Sequence, residues 1–335
     1  MNLFGKNLDH DIVVVAEIGV NHEGSPENAA TMIALAAQAG ADAVKFQTYT
    51  PERYTTSSDP ERLAQVSRFC LGPGELEGLE REARRHAVGF FSTPLTEDVI
   101  QQVARISDAI KIASGDIVFE PTIRASARIG KPMIISTGNA TIDEIDRTIG
   151  WCKEEMGDAI SERVVLLHCV AAYPTPVDQA NIRSIPFLRD RYGLTVGYSS
   201  HVIESEAAIA AVALGAQILE VHFTDCREGR NFRDHQLSLD ADGLHKLVES
   251  VRRVRAALGV HDKRLAAAEE PIRAQMRKGV VAARDMPAGS RLTSNDLMFA
   301  RPATEIPASD VGSVIGKTLM VDRKRGQQIL RDDLN

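Results

Sequence analysis

Eight short apolar or β-branched runs recur before residue 225, each followed by a longer stretch, and this alternation constrains the chain more than any other feature. The runs are Ile12 to Glu17, Ala43 to Thr48, Gly89 to Thr93, Ala109 to Ser114, Met133 to Thr137, Val164 to Val170, Thr195 to His201 and Ile218 to Thr224. Between them, Asn28 to Ala39, Leu76 to Ala87, Ile142 to Cys152 and Ile203 to Leu214 space their apolar residues at i, i+3 and i+4, as an amphipathic helix does. Leu244, Leu247, Val248, Val251, Val254 and Leu258 continue the pattern after the eighth run. Connections too long for hairpins require parallel strands, and eight of them close most readily into a (βα)8 TIM barrel. A doubly wound open sheet is the alternative, but no GxGxxG follows the first strand.

A barrel of about 250 residues leaves part of a 335-residue chain over. Past a charged stretch, His261 to Lys278, about 57 residues read as a small, mostly β domain. Val280 to Ala283, the turn Pro287-Ala288-Gly289 and Gly316 to Val321 carry its strand and turn signals, and Pro271 interrupts a linker helix. The boundaries read as 1–262 for the barrel, 263–278 for the linker and 279–335 for the last domain. The formal charge of -7 is spread along the chain without a basic stripe, so neither nucleic acid nor a membrane surface is indicated. No run reaches the roughly 18 apolar residues of a membrane span. Cys70, Cys152, Cys169 and Cys226 form no CxxC pair, which fits a reducing cytoplasm.

Side chains alternate across a strand, and the polar residues of these runs obey one parity. Lys45 and Gln47 oppose Val44 and Phe46, Lys111 opposes Ile110 and Ile112, Ser199 pairs with His201, and Glu220 with His222. Glu17 closes the first run in the same sense. Nearly all lie in the last residues of their strands, the C-terminal mouth where barrel enzymes build their sites. Singly, each has an ordinary reading: a strand lysine snorkels, a histidine is bonded in the core, a glutamate caps a loop amide. Together they make a poor core and a coherent site. Lys45 and Lys111 with Ser114, Ser136 and Ser199 suit an anion, His201 and His222 a divalent metal, and Glu17 a base or a partner of metal-bound water. Cys169 and Cys226 have no activating partner in sequence, and His22, His168 and His235 keep no assigned role.

These residues also resemble a known family. Ala16-Glu17-Ile18-Gly19-Val20-Asn21-His22-Glu23-Gly24, Val44-Lys45-Phe46-Gln47-Thr48, Ser92-Thr93-Pro94, Lys111-Ile112-Ala113-Ser114-Gly115 and Ile135-Ser136-Thr137-Gly138 are similar to the bacterial N-acetylneuraminate (sialic acid) synthase family. So are Leu167-His168-Cys169, Tyr173-Pro174, Gly197-Tyr198-Ser199 and Leu219-Glu220-Val221-His222-Phe223-Thr224, in the same order, and the C-terminal segment with Arg301-Pro302 resembles its antifreeze-like SAF domain. The resemblance implies a (βα)8 barrel that condenses phosphoenolpyruvate with an amino-sugar aldehyde, N-acetylmannosamine or a relative, giving a nonulosonic acid and phosphate. It implies a divalent cofactor, manganese with magnesium or cobalt as alternatives, and a domain-swapped homodimer serving polysaccharide biosynthesis. Carried over residue by residue, Lys45, Thr93, Lys111, Ser114, Ser136 and Ser199 hold phosphoenolpyruvate, His201 and His222 the metal, and Glu17 is the catalytic carboxylate. Gln47, Asp116, Tyr173, Glu220 and Asp234 line the substrate side, and Arg301 reaches the partner's site. Five positions depart from the family pattern: Asp116 for glutamate, Asn139 for methionine, Ala171 for asparagine, Ser200 for aspartate and Val221 for arginine. The loop from Arg227 to Arg233 is unusually basic. These differences leave the sugar open among N-acetylneuraminate, legionaminate, pseudaminate and rarer products. Two rivals are a Schiff-base pyruvate aldolase, whose lysine the sixth run lacks, and a carbohydrate-binding protein suggested by the tail alone.

Overall fold

In the computed structural model, which describes residues 1–230, 232–303 and 305–335, each of the eight runs becomes a strand: β1 Val13–Gly19, β2 Ala43–Thr48, β3 Gly89–Pro94, β4 Ile110–Ile112, β5 Met133–Ser136, β6 Val164–Cys169, β7 Thr195–Ser200 and β8 Ile218–His222. They pair in parallel and in sequence order, and β8 returns to β1 through Glu220 opposite Val15 and His222 opposite Glu17. The sheet closes, which decides against an open doubly wound arrangement.

The connecting helices are α1 Pro26–Gln38, α2 Pro73–Arg85, α3 Ile100–Ile106, α4 Glu120–Arg128, α5 Ile142–Met156, α6 Ser184–Tyr192, α7 Glu206–Ala213 and α8 Ala241–Leu258. Local chemistry starts several of them. Ser25 accepts from the Asn28 amide with Pro26 at the first helical position, Thr141 and Glu144 form a reciprocal cap, and Asp240 accepts from the Gly243 amide at 2.8 Å. Outward residues of the strands, such as Val14, Val44, Phe46, Phe90, Ile135 and Leu219, pack beneath the helices. Inward residues Val13, Val15, Ala43, Phe91, Ala109, Ile134, Val165, Leu167 and Ile218 fill the lower barrel, which a hairpin carrying Leu3 and Leu8 plugs from below.

The chain divides into two compact units, Met1–Gly259 and Val260–Asn335. In the second, β9 Gly279–Ala282 pairs antiparallel with β10 Leu297–Ala300 over a core of Val280, Leu292, Val314, Leu319 and Ile329. Gly316 to Val321 is not a continuous strand: it turns through Gly316 and makes isolated bridges from Thr318 to Arg291 and from Leu319 to Leu334. Pro271 lies in a 3-10 turn, Ala267–Ile272, before a short helix, Arg273–Met276. The fourth run shortens because Ser114–Asp116 curls into a 3-10 turn. Residues 49–72, which carry little periodicity, hold two short helices, Pro51–Tyr54 and Pro60–Phe69. Among the described residues no helix is long and apolar enough to cross a membrane, and all four cysteines are free thiols.

Candidate active site

Above the apolar lower barrel, the same inward parity turns polar in every strand. Glu17, Lys45, Thr93, Lys111, Ser136, Cys169, Ser199 and Glu220 come one each from β1 to β8 and line a cavity of about 280 Å³ at the C-terminal mouth. Gln47, Ser114, Asp116, Tyr173, His201, His222 and Asp234 line it too. Every candidate residue of the barrel is thus in one space. Arg301 lies in the second unit, on an exposed loop.

Two lysines and two glutamates form the floor of this cavity, all buried. Lys45 Nζ stands 2.8 Å from Glu17 Oε2 and 3.8 Å from Glu220 Oε1. Lys111 Nζ donates to Ser136 Oγ at 2.7 Å and stands 3.5 Å from the same Glu220 oxygen, which also accepts from Ser199 Oγ at 3.0 Å. Glu220 therefore answers both ammonium groups, while Glu17 has one. Burial raises both carboxyls, but in Glu220 the two lysines outweigh it and hold the group below its ordinary range. Glu17, buried, only partly relieved by Lys45 and repelled by Glu220, is pushed up to about 7. The lysines divide likewise. Burial lowers Lys111 faster than Glu220 restores it, whereas Glu17 and Glu220 together carry Lys45 above its usual value despite burial. One firm anion, one firm cation, a carboxyl able to exchange its proton near neutrality and a lysine held below its ordinary value share the space.

Backbone geometry keeps this cluster tight. The β1–β2 register slips between Glu17 and Gly19, and at Gly19 (φ +56°) an added Cβ would come within 2.9 Å of Glu17 Oε1. Gln47 Nε2 donates to that oxygen at 3.4 Å. At Gly138 a Cβ would sit 2.6 Å from Cys169 Sγ and 2.8 Å from Ser114 Oγ, so the β5 loop approaches only as glycine. The Gly138 amide donates to Ser114 Oγ at 3.2 Å. Burial raises the Cys169 thiol, leaving it a wall of the cavity and a poor nucleophile. Asp116, half-buried at the rim, is raised by burial to about 6.

His201 and His222 face one another with ring centres 5.4 Å apart, and Tyr173 packs on His201 at 4.0 Å and edge-on to His222 at 6.0 Å. His201 Nδ1 lies 2.7 Å from the Val170 carbonyl oxygen, so Nδ1 carries the proton and Nε2 the lone pair, the tautomer of a metal ligand. Burial lowers both imidazoles, His222 the more strongly, and keeps them neutral. Glu220 Oε2, two residues before His222, is buried with no hydrogen-bond partner among the described residues. Among those residues no three His, Cys, Asp or Glu side chains are grouped to hold a metal by themselves. The two neutral, facing imidazoles are the donors that would hold a cation here.

The sequence reading missed Arg62 and Arg233, which line the same cavity with Tyr54, Leu95 and Phe232. Arg62 belongs to helix Pro60–Phe69, whose start Asp59-Pro60 is the readable signal; Asp59 accepts from the Arg62 amide. Arg233 ends the basic loop noted above and bonds Asp234 at 2.9 Å, its guanidinium 4.6 Å from the Tyr173 ring centre. Of the five departures from the family pattern only Asp116 lines the cavity; Ala171 and Asn139 line a neighbouring one, and Val221 packs in the outer core. The three unassigned histidines are internally bonded: His22 Nδ1 accepts from the Gly24 amide, His168 meets the Ala180 carbonyl, and His235 joins Thr224 and Glu23.

This sequence is 31% identical, over 95% of its length and 93% of the relative's, to an N,N'-diacetyllegionaminic acid synthase of Legionella pneumophila. It is 30% identical to a pseudaminic acid synthase of Campylobacter jejuni over 99% of both chains. The structure superposes on an N-acetylneuraminic acid synthetase of Leptospira borgpetersenii, crystallised with citrate, with a TM-score of 0.73 and 32% identity over 78% of this chain and 90% of the other. The SAF domain model matches residues 277–335. With the NeuB family model matching residues 32–263, a span that holds the lysine pair, both histidines and all but the first strand of the barrel, the chain belongs to the NeuB family and carries a C-terminal SAF domain.

Proposed function

We propose that the barrel mouth condenses phosphoenolpyruvate with an N-acylated amino-sugar aldehyde and water, releasing phosphate and a nonulosonic acid. The observation that carries this is the floor of two lysines and two glutamates beside a facing histidine pair. Phosphoenolpyruvate brings a carboxylate and a phosphate, and Lys45 and Lys111, with Thr93, Ser114, Ser136 and Ser199, supply charge and donors for both. Binding draws the lysines from Glu220 toward the ligand. C3 of phosphoenolpyruvate forms a bond to the aldehyde carbon, the aldehyde oxygen gains a proton, and water adds at C2. The bond from C2 to the bridging oxygen then breaks, and that oxygen leaves with phosphate. Glu17, poised near neutrality, takes the proton of the water. Gln47, Tyr173 and Asp234 orient the sugar.

A divalent ion, manganese or in its place magnesium or cobalt, would be held by His201 and His222 and when bound would act as a Lewis acid on the aldehyde oxygen. The working unit is a domain-swapped homodimer in which Arg301 serves the partner's cavity. Residues 261–278 are exposed throughout, with Leu265, Ile272 and Met276 presenting apolar side chains that a second copy would cover. Refolding Glu17→Ala with Arg301→Ala protein should then restore one site per heterodimer, while background activity in the mixture would exclude the swap.

The experiment for the reaction is a panel of amino-sugar aldehydes incubated with phosphoenolpyruvate and manganese, scored by phosphate release and product mass. Phosphoenolpyruvate labelled with oxygen-18 at the bridging position should yield labelled phosphate; label in the sugar product would refute the route. The depressed Lys111 also suits a Schiff-base aldolase. Such an enzyme would survive chelation and be trapped by borohydride.

A further inference from the structure

The catalytic cavity shares Arg62, Phe232 and Arg233 with a neighbouring cavity of about 610 Å³, which the reaction above leaves unused. Arg68, Arg230 and Glu23 also line it, so four guanidiniums and one carboxylate face a single space in a chain of formal charge -7. Arginines at a surface are ordinarily answered by nearby acids, and two of these are: Arg230 pairs with Asp225 at 2.6 Å and lies 3.6 Å from Glu23, and Arg233 pairs with Asp234. Arg62 and Arg68 form no ion pair among the described residues. Arg62 donates to Gln65 at 2.7 Å and lies 6.0 Å from the Tyr54 ring centre, and Arg68 stands over Phe69 at 4.9 Å. A ring beneath a guanidinium fixes its plane and leaves the in-plane N–H groups free for an oxygen-rich anion.

Two positive charges without a counter-charge match a phosphate monoester, which carries about -1.5 to -2 at neutral pH and three terminal oxygens; a carboxylate would leave one guanidinium unanswered. The histidine pair lines only the first cavity, so the shared wall lies toward the end of the acceptor away from its aldehyde. We propose that the acceptor is an amino-sugar aldehyde phosphorylated at its far end, with Arg62 and Arg68 as the specificity-determining residues that bind the phosphate, flanked by Arg230 and Arg233. The proposal rests on the reading of the catalytic cavity given above.

Calorimetric titration of the full-length protein decides it without turnover. N-acetylmannosamine 6-phosphate should bind about tenfold or more tightly than N-acetylmannosamine or its uronic acid, and the R62Q/R68Q double variant should lose that preference. Both side chains are exposed, so the variant can be checked for native circular dichroism before titration. Equal or absent binding of the three sugars, a preference for the uronic acid, or a preference that survives in R62Q/R68Q would each overturn the proposal. Phosphate release from phosphoenolpyruvate, measured in parallel, tests the reaction itself. Equal kcat/KM for the free and phosphorylated sugars would uphold the reaction and sink the inference, whereas a phosphate preference in binding with no turnover on any acceptor would sink the reaction while keeping the arginine assignment.

Discussion

At the lower end of the barrel Val13, Ala43, Phe91, Ala109, Ile134, Val165 and Ile218 close on one another; one or two pleats higher the same strands, at the same parity, present Glu17, Lys45, Thr93, Lys111, Ser136, Cys169 and Glu220. The two layers are about equally buried and do opposite work. The lower one removes apolar area from water and holds the strands together. The upper one takes ions from water at several kcal/mol each and regains that through Lys45, Lys111, Glu17 and Glu220, so its net contribution to stability is small. A fold would gain as much from leucines there. The upper layer is kept for what it binds.

If that division holds, damage to the two layers should be separable. The largest effect belongs to His222, a buried imidazole at the end of β8. His222→Ala should lower turnover by ~10³-fold or more, about 4 kcal/mol of barrier, and abolish tight manganese binding measured by electron paramagnetic resonance. A variant that binds manganese as the parent does would remove His222 from the metal site. Next is Phe91 in the lower layer, fully buried and packed 5.1 Å from Phe4. Phe91→Ala should cost about 3–5 kcal/mol in urea unfolding while the folded fraction keeps its KM for phosphoenolpyruvate. Lys111→Met is the mirror image. It keeps the stem, deletes the charge and should weaken phosphoenolpyruvate by roughly 2–3 kcal/mol, with the unfolding midpoint little changed because Lys45 and Ser199 still answer Glu220. A destabilised Lys111→Met with normal affinity would mean that the upper layer, too, is structural.

How much of this was legible in the sequence follows from the range of the forces involved. The pleat has a period of two, so the inward parity of Lys45, Gln47, Lys111, Ser199 and Glu220 could be read from a few neighbours. That Glu220 and not Glu17 answers both lysines depends on barrel closure, which brings β8 beside β1 and sets its register; no local pattern encodes it. Helix Pro60–Phe69 escaped because it buries only Val66 and Phe69, too few for a stripe, and with it went Arg62. In the second unit Gly316 to Val321 has the composition of a strand, yet its partners, Arg291 and Leu334, lie far off in sequence and engage it one residue at a time. Conversely β10, Leu297–Ala300, is only four residues long, and its pairing with β9 is what makes it a strand.

The smallest effect tests whether acid sensitivity is also confined to the upper end. His22, in the loop after β1, is buried against Phe46, 5.9 Å between ring centres, and its Nδ1 accepts from the Gly24 amide at 3.0 Å. Burial pushes its pKa down to about 4, against an ordinary value of 6.5. Between those values the unfolded chain takes up a proton that the native state refuses, so this group leaves stability untouched above pH 6.5 and removes it as the pH falls toward 4. At pH 5 the loss should be roughly 2 kcal/mol relative to pH 7. His22→Asn keeps an acceptor near the position of Nδ1 but cannot titrate. Urea unfolding of both proteins at pH 7 and pH 5 isolates the effect: the variant is less stable at pH 7 through lost packing, yet should lose about 2 kcal/mol less than the parent on acidification. Parallel losses in the two proteins would place the acid sensitivity elsewhere. The lower layer, with no ionisable side chain among the residues named, would then have to share its immunity with the loop above the mouth.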